Sequence, residues 1–104
     1  MTVNDIVKVL NASVIVSSDK SVESFYAGDF LSRVMGKAPS KCCWFTVMNN
    51  VNVAGVATLA DVSVILLCEG VKPDERLSDK CRSEGIALLT TDLDVYSAIV
   101  KLNQ

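Results

Sequence analysis

Residues 42–90 read CCWFTVMNNVNVAGVATLADVSVILLCEGVKPDERLSDKCRSEGIALLT, and the alternation inside this stretch decides the fold. Cys42-Cys43-Trp44-Phe45-Thr46-Val47 is almost entirely strand-favouring, and Asn49-Asn50 stops it. Val51 to Leu59 is rich in alanine and valine and is expected to be helical, with Gly55 as its weak point. Asp61-Val62-Ser63 leads into Val64-Ile65-Leu66-Leu67-Cys68, a short apolar run that reads as a strand buried on both faces and ends at Glu69-Gly70. Pro73 suits a first helical turn, where a backbone N–H is not needed, and Asp74 and Glu75 follow it. The helix so begun buries Leu77 and Cys81 and ends at Gly85. Ile86-Ala87-Leu88-Leu89-Thr90 is the next strand. Thr91 or Asp92 is expected to cap a last helix carrying Val95, Tyr96, Ile99, Val100 and Leu102. A strand–helix unit repeated in this way, joined by right-handed crossovers, makes a parallel sheet covered by helices.

Upstream, Thr2 can cap a first helix, with Asp5 adding negative charge to its first turn and Val3, Ile6, Val7 and Leu10 at helical spacing. Ser13-Val14-Ile15-Val16-Ser17 is short and β-branched, a strand. After a turn at Ser18-Asp19-Lys20-Ser21, Val22 to Ala27 is expected to form a further strand with Val22, Ser24 and Tyr26 on one face. Gly28-Asp29 then breaks the chain and caps a helix with Phe30, Leu31, Val34 and Met35, closed by Gly36 and Pro39. The expectation is an α/β domain over residues 1–104, a mostly parallel sheet of four to five strands flanked by helices.

At 104 residues the chain has room for one such domain. Half of it is hydrophobic and the mean hydropathy is +0.36, which suits a sheet covered on both faces or a patch that pairs with another chain. No apolar run approaches the roughly 20 residues of a membrane span. Met1-Thr2-Val3-Asn4-Asp5 lacks the positive cluster and apolar stretch of a signal peptide, so no membrane association and a cytoplasmic location are expected. Net charge is −2 with both signs scattered; Lys20, Lys37 and Lys41 make no basic stripe, so nucleic acid is not an expected partner.

Catalytic signals are missing. The chain has no histidine, and neither a phosphate loop nor a Gly-rich dinucleotide turn. The acid pairs Asp74-Glu75 and Asp92-x-Asp94 fall at helix starts, where the dipole alone accounts for them. No enzyme activity and no cofactor are expected. Of the four cysteines, Cys42 and Cys43 are adjacent and would point to opposite faces of a strand, while Cys68 and Cys81 lie far downstream. They are read as small buried hydrophobes and no metal site is expected, with an iron–sulfur or redox role as the remote alternative.

Ligands of parallel sheets gather beyond the carboxyl ends of the strands, where helix N-termini point their N–H groups. Those ends here carry Asn49, Asn50, Glu69, Gly70, Thr90, Thr91 and Asp92, whose hydroxyls and amides suit a phosphate or a nucleotide edge. A helix cap and a turn explain the same residues without a ligand, and Glu69 and Asp92 oppose a highly charged anion unless a cation comes with it. For contact with a second copy or another protein, the candidates are Tyr26, Phe30, Met35, Trp44 and Phe45. Trp44 and Phe45 are neighbours in a strand and must face opposite ways, and core is their default place.

Taken together, Asp19-Lys20-Ser21-Val22, Tyr26-Ala27-Gly28-Asp29-Phe30-Leu31-Ser32, Trp44-Phe45-Thr46-Val47 and Asn52-Val53-Ala54-Gly55-Val56-Ala57 form one part of a pattern. Ile65-Leu66-Leu67, Pro73-Asp74, Glu84-Gly85-Ile86 and Leu88-Leu89-Thr90-Thr91 complete it. The pattern resembles the DRTGG domain over nearly the full length. Where that family has a threonine and two glycines, this chain has Glu23-Ser24-Phe25, and so lacks the freedom that paired glycines give a loop to approach a ligand. Lys20 keeps a positive charge without the fork of an arginine. The resemblance implies an accessory or regulatory module. Such domains stand beside nucleotide-sensing CBS pairs and phosphotransacetylases and resemble the non-catalytic N-terminal domain of the HPr kinase/phosphorylase. Stand-alone members occur near clostridial iron hydrogenase genes, and dimerisation recurs. The expected function is a non-catalytic regulatory or scaffolding module acting through homodimerisation and protein contact. The alternative is sensing of an adenine nucleotide or phosphate.

Overall fold

The computed structural model describes residues 1–104. Its elements in chain order are α1 (Val3–Leu10), β1 (Ser13–Val16), β2 (Ser24–Ala27), α2 (Leu31–Lys37), β3 (Cys42–Thr46), α3 (Asn52–Leu59), β4 (Val64–Leu67), α4 (Glu75–Glu84), β5 (Ala87–Thr90) and α5 (Val95–Leu102). The five strands form one sheet in the order β1-β5-β4-β3-β2. β2, β3, β4 and β5 run parallel, while β1 joins β5 antiparallel at the edge with its register broken between Val14 and Val16.

Alternation along the strands divides the core. Cys42, Trp44, Ile65, Leu67 and Leu88 pack against Val34 of α2, Val53 and Ala57 of α3, and Leu77 and Cys81 of α4. Cys43, Phe45, Val64, Leu66 and Leu89 face the other way, onto Ile6 and Leu10 of α1 and Ala98 and Leu102 of α5. Every residue of β3 and β4 is buried, as two covered faces require, so β4 reads as a continuous apolar run and β3 as one up to its last residue, Thr46.

The helix ends follow local chemistry, in places unlike the sequence expectation. Thr2 and Asp5 do form a reciprocal capping box on α1, and Asn11 closes that helix in the left-handed region at φ 52°. α5, however, is capped by Asp94, whose carboxylate accepts from the Ser97 N–H at 2.6 Å, and not by Thr91 or Asp92. Thr91 turns its hydroxyl onto the Leu93 N–H instead, two residues short of the helix. On α5 the buried residues are Ala98 and Leu102, which leaves Tyr96 77 % exposed and outside the expected stripe. At α2 the cap position is Phe30, with no side-chain bond, because Asp29 is engaged elsewhere. Gly36 lies inside α2, and the helix stops where Ala38 is forced extended ahead of Pro39. Val22 precedes β2 and packs on the α1–α5 face, opposite Tyr26, since its N–H is drawn to Met1 O and Ser21 is bridged to Thr2.

Candidate functional site

The carboxyl ends of β2, β3, β4 and β5 lie along one edge of the sheet. Asp29, just past β2, accepts from the buried Thr46 hydroxyl at 2.7 Å and from the Val47 N–H at 3.0 Å, fastening the β2–α2 turn to the end of β3. The Asn49 amide donates to Lys72 O at 2.7 Å, and Asn49 O accepts from the Asp74 N–H, which ties the β3–α3 loop to the β4–α4 loop. Asn50 accepts from the Asn52 N–H through its side-chain oxygen. The Glu69 and Gly70 N–H groups donate to Leu93 O and Thr91 O, both on the β5–α5 loop. Glu69 and Gly70 both have positive φ, 62° and 72°, which is what aims these two N–H groups sideways. Thr90 is half-buried within the sheet and Thr91 is buried, while Asp92 is exposed with its carboxylate beside Gly70.

The sequence-derived residues therefore do meet along this edge, but as a stitched seam. Asn49, Asn50, Glu69, Gly70 and Thr91 engage the groups just named in bonds within and between the loops, and no cleft opens among them. Their surroundings are acidic. The Cys68 thiol at the end of β4 is pushed up to about 11, first by burial and then by the charges of Glu69, Asp94 and Asp29. Three carboxylates close enough to act on one thiol oppose a phosphate at this edge.

The other thiols are governed by burial as well. It pushes Cys42 and Cys81 up to about 11 and Cys43 well above its usual range. The sheet separates them, Cys42 and Cys81 on the α2–α3–α4 side and Cys43 and Cys68 on the α1–α5 side, so the four thiols cannot converge on one ion.

Of the contact candidates, Trp44 and Phe45 have no exposed surface and offer none to a partner. Trp44 donates its indole N–H to Gly28 O at 2.7 Å, and Phe45 meets Phe25 edge-on at 5.9 Å between ring centres. Tyr26 is half-buried against the core. Phe30 and Met35 are 68 % and 48 % exposed, and Leu59, on the neighbouring α3, is 75 % exposed. Nothing in the residue pattern singles out Leu59; only the packing of α3 on α2 and on the sheet reveals that it ends up outside.

Clefts open elsewhere. At the amino edge, one of about 240 Å³ is lined by Lys20, Ser21, Lys41, Asp61 and Ser63. A smaller one of about 140 Å³ shares Lys20 and Asp61 and reaches Thr58 and Glu84. An open groove of about 340 Å³ runs along α4 past Val51, Arg76, Asp79, Lys80 and Ser83.

The model of the DRTGG domain matches residues 5–104. The chain belongs to the DRTGG domain family. No curated protein matches it. Among solved structures it is similar to the crystal structure of the CBS and DRTGG domains of the regulatory region of Clostridium perfringens pyrophosphatase, complexed with the activator diadenosine tetraphosphate. The TM-score is 0.79 at 12 % identity, over 99 % of this chain and 46 % of that one, so this DRTGG domain spans less than half of its neighbour and shares its fold. No helix of the DRTGG chain is long and apolar enough to cross a membrane.

Proposed function

We propose that this DRTGG domain is a non-catalytic regulatory module that acts by contact, first of all with a second copy of itself through the outer face of α2. The observation that carries this is the exposure of Phe30 and Met35, at 68 % and 48 %, at the start and middle of one short helix. Leu59, at the far end of the adjoining α3, is exposed as well. Side chains of this size gain by leaving water, and a two-fold arrangement needs only one self-complementary patch. At the carboxyl edge, by contrast, Asn49, Asn50 and Thr91 bond their loop neighbours and no cleft opens. Light scattering of the purified chain is expected to give twice the 11.2 kDa chain mass. The double variant Phe30→Ser, Met35→Ser is expected to give the single-chain mass with an unchanged circular dichroism spectrum. A wild-type mass of 11.2 kDa throughout a broad dilution series would refute the dimer.

A second reading, sensing of an adenine nucleotide, is favoured by the diadenosine tetraphosphate bound in the neighbouring regulatory region. A thermal-shift series with adenine nucleotides tests it. Binding to the folded state alone would stabilise by about 2.7 kcal/mol at a hundredfold excess over the dissociation constant.

A further inference from the structure

The segment Asp19-Lys20-Ser21-Val22, set against the motif that names the family, takes no part in the carboxyl-edge seam or in the α2 face. It lies at the opposite end of the sheet, where Lys20 and Ser21 enter the wall of the 240 Å³ cleft. The rest of that wall comes from the residues just ahead of β3 and β4, namely Lys41, Asp61 and Ser63. No apolar side chain lines it.

The cleft is fixed by the backbone. Lys41 and Asp61 are both left-handed, at φ 59° and 57°, and the Lys41 N–H donates to Asp61 O at 2.7 Å. Aspartate adopts that conformation readily and lysine does not, so Lys41 sits there under strain in a place where strain often marks a ligand clamp. Ser63 donates its hydroxyl to Ser21 O at 2.7 Å, joining the motif segment to β4 and leaving the oxygen of Ser63 and the whole hydroxyl of Ser21 available. The one carboxylate in the wall, Asp61, is turned onto the Ser40 hydroxyl. Lys20 is half-buried and enters none of the ion pairs of the chain. Lys41 has only an exposed pairing with Glu23 at 3.6 Å, which water screens and a better anion would displace.

We propose that this amino-edge cleft binds the phosphate group of a small molecule, held between the ammonium groups of Lys20 and Lys41 with the Ser21 hydroxyl as a further donor. The adjoining wall carries the C-terminal turns of α3 and α4, through Ala57, Thr58 and Glu84, and their negative ends offset part of the charge on Lys20. The cleft therefore suits one phosphate and not a chain of them. Phosphate binding stands independently of the sensing reading above; only the identity of the small molecule as a nucleotide rests on it.

The test is a titration of the full 15N-labelled chain with inorganic phosphate and, separately, with AMP, against sodium chloride at matched ionic strength. Saturable amide shifts are expected at Ser21, Lys41, Asp61 and Ser63 with both phosphate ligands and not with chloride. Lys20→Gln and Lys41→Gly should each weaken binding about tenfold, the loss of one charged contact. Glycine accepts the backbone of Lys41 without strain, so that variant stays folded. Asp61→Asn also fits the left-handed position and removes the only acid in the wall, so it should tighten binding several-fold. Tighter binding of AMP than of phosphate would extend the site to the nucleoside, while equal affinity would keep the site and remove the nucleotide reading. Shifts that chloride reproduces, shifts gathered on Asn49, Gly70 and Thr91 instead, or wild-type affinity in both Lys20→Gln and Lys41→Gly would overturn the proposal.

Discussion

Gly70 has φ +72°, and a Cβ there would come within 3.3 Å of the Asp92 carboxylate. Asp92 is exposed and can move aside, so backbone strain sets the cost, and Gly70→Ala is expected to destabilise by about 1–2 kcal/mol. Gly55 is the opposite case. It lies inside α3 with nothing within 4 Å of its added Cβ, so Gly55→Ala should stabilise by about 0.5–1 kcal/mol. Urea titration of the two variants checks both signs at once. Asp94 makes a prediction in pH. Its carboxyl is held below the ordinary 3.8, first by the backbone N–H of Ser97. A lowered value in the folded state means that the cap contributes fully above the unfolded value and is lost as pH falls through the folded one. Asp94→Ala should thus melt below wild type at pH 7, and the gap should close as the pH is taken below 3.8.

At the level of elements, β3, β4 and β5 were legible because burial keeps each of them apolar up to its last residue, as Val64-Ile65-Leu66-Leu67 illustrates. α4 was legible from its own punctuation at its end, where Gly85 closes it at φ 71°, but it starts later than expected, with Asp74 as its cap and Pro73 outside the helix, not in its first turn. The ends of α2 and α5 were not. Asp29 looks like a cap in sequence, yet its carboxylate bonds Thr46 and Val47, 17 and 18 residues on, and no local rule reports a partner so distant. Thr91, Asp92 and Asp94 are all competent caps, and the short turn that Thr91 makes with Leu93 pushes the start of α5 on to Asp94. The candidate seam was legible as a place and not as a function, because hydrogen bonds between loops, such as Asn49 to Lys72, decide whether its groups are free. Trp44 was correctly suspected as core, but its bond to Gly28 O links β3 to the turn after β2. Trp44→Phe keeps most of the packing and leaves that carbonyl without its indole donor. It should cost about 1–3 kcal/mol, read as a lower midpoint in urea with an unchanged slope.

Over the whole molecule, the sheet assigns different surfaces to different ends. Carboxylates gather at the carboxyl edge around Cys68, lysines at the amino edge around the 240 Å³ cleft, and exposed apolar side chains on the α2–α3 layer. The α1–α5 layer also exposes Tyr96 and Val100, one turn apart on α5, and so offers a rival contact face. Amide hydrogen exchange of the wild-type chain at a low and a high protein concentration separates the two faces directly. A dimer seated on α2 predicts slower exchange at the high concentration over residues 30–37, with α5 unchanged. Identical exchange at both concentrations, or slowing confined to residues 95–102, would contradict contact through α2.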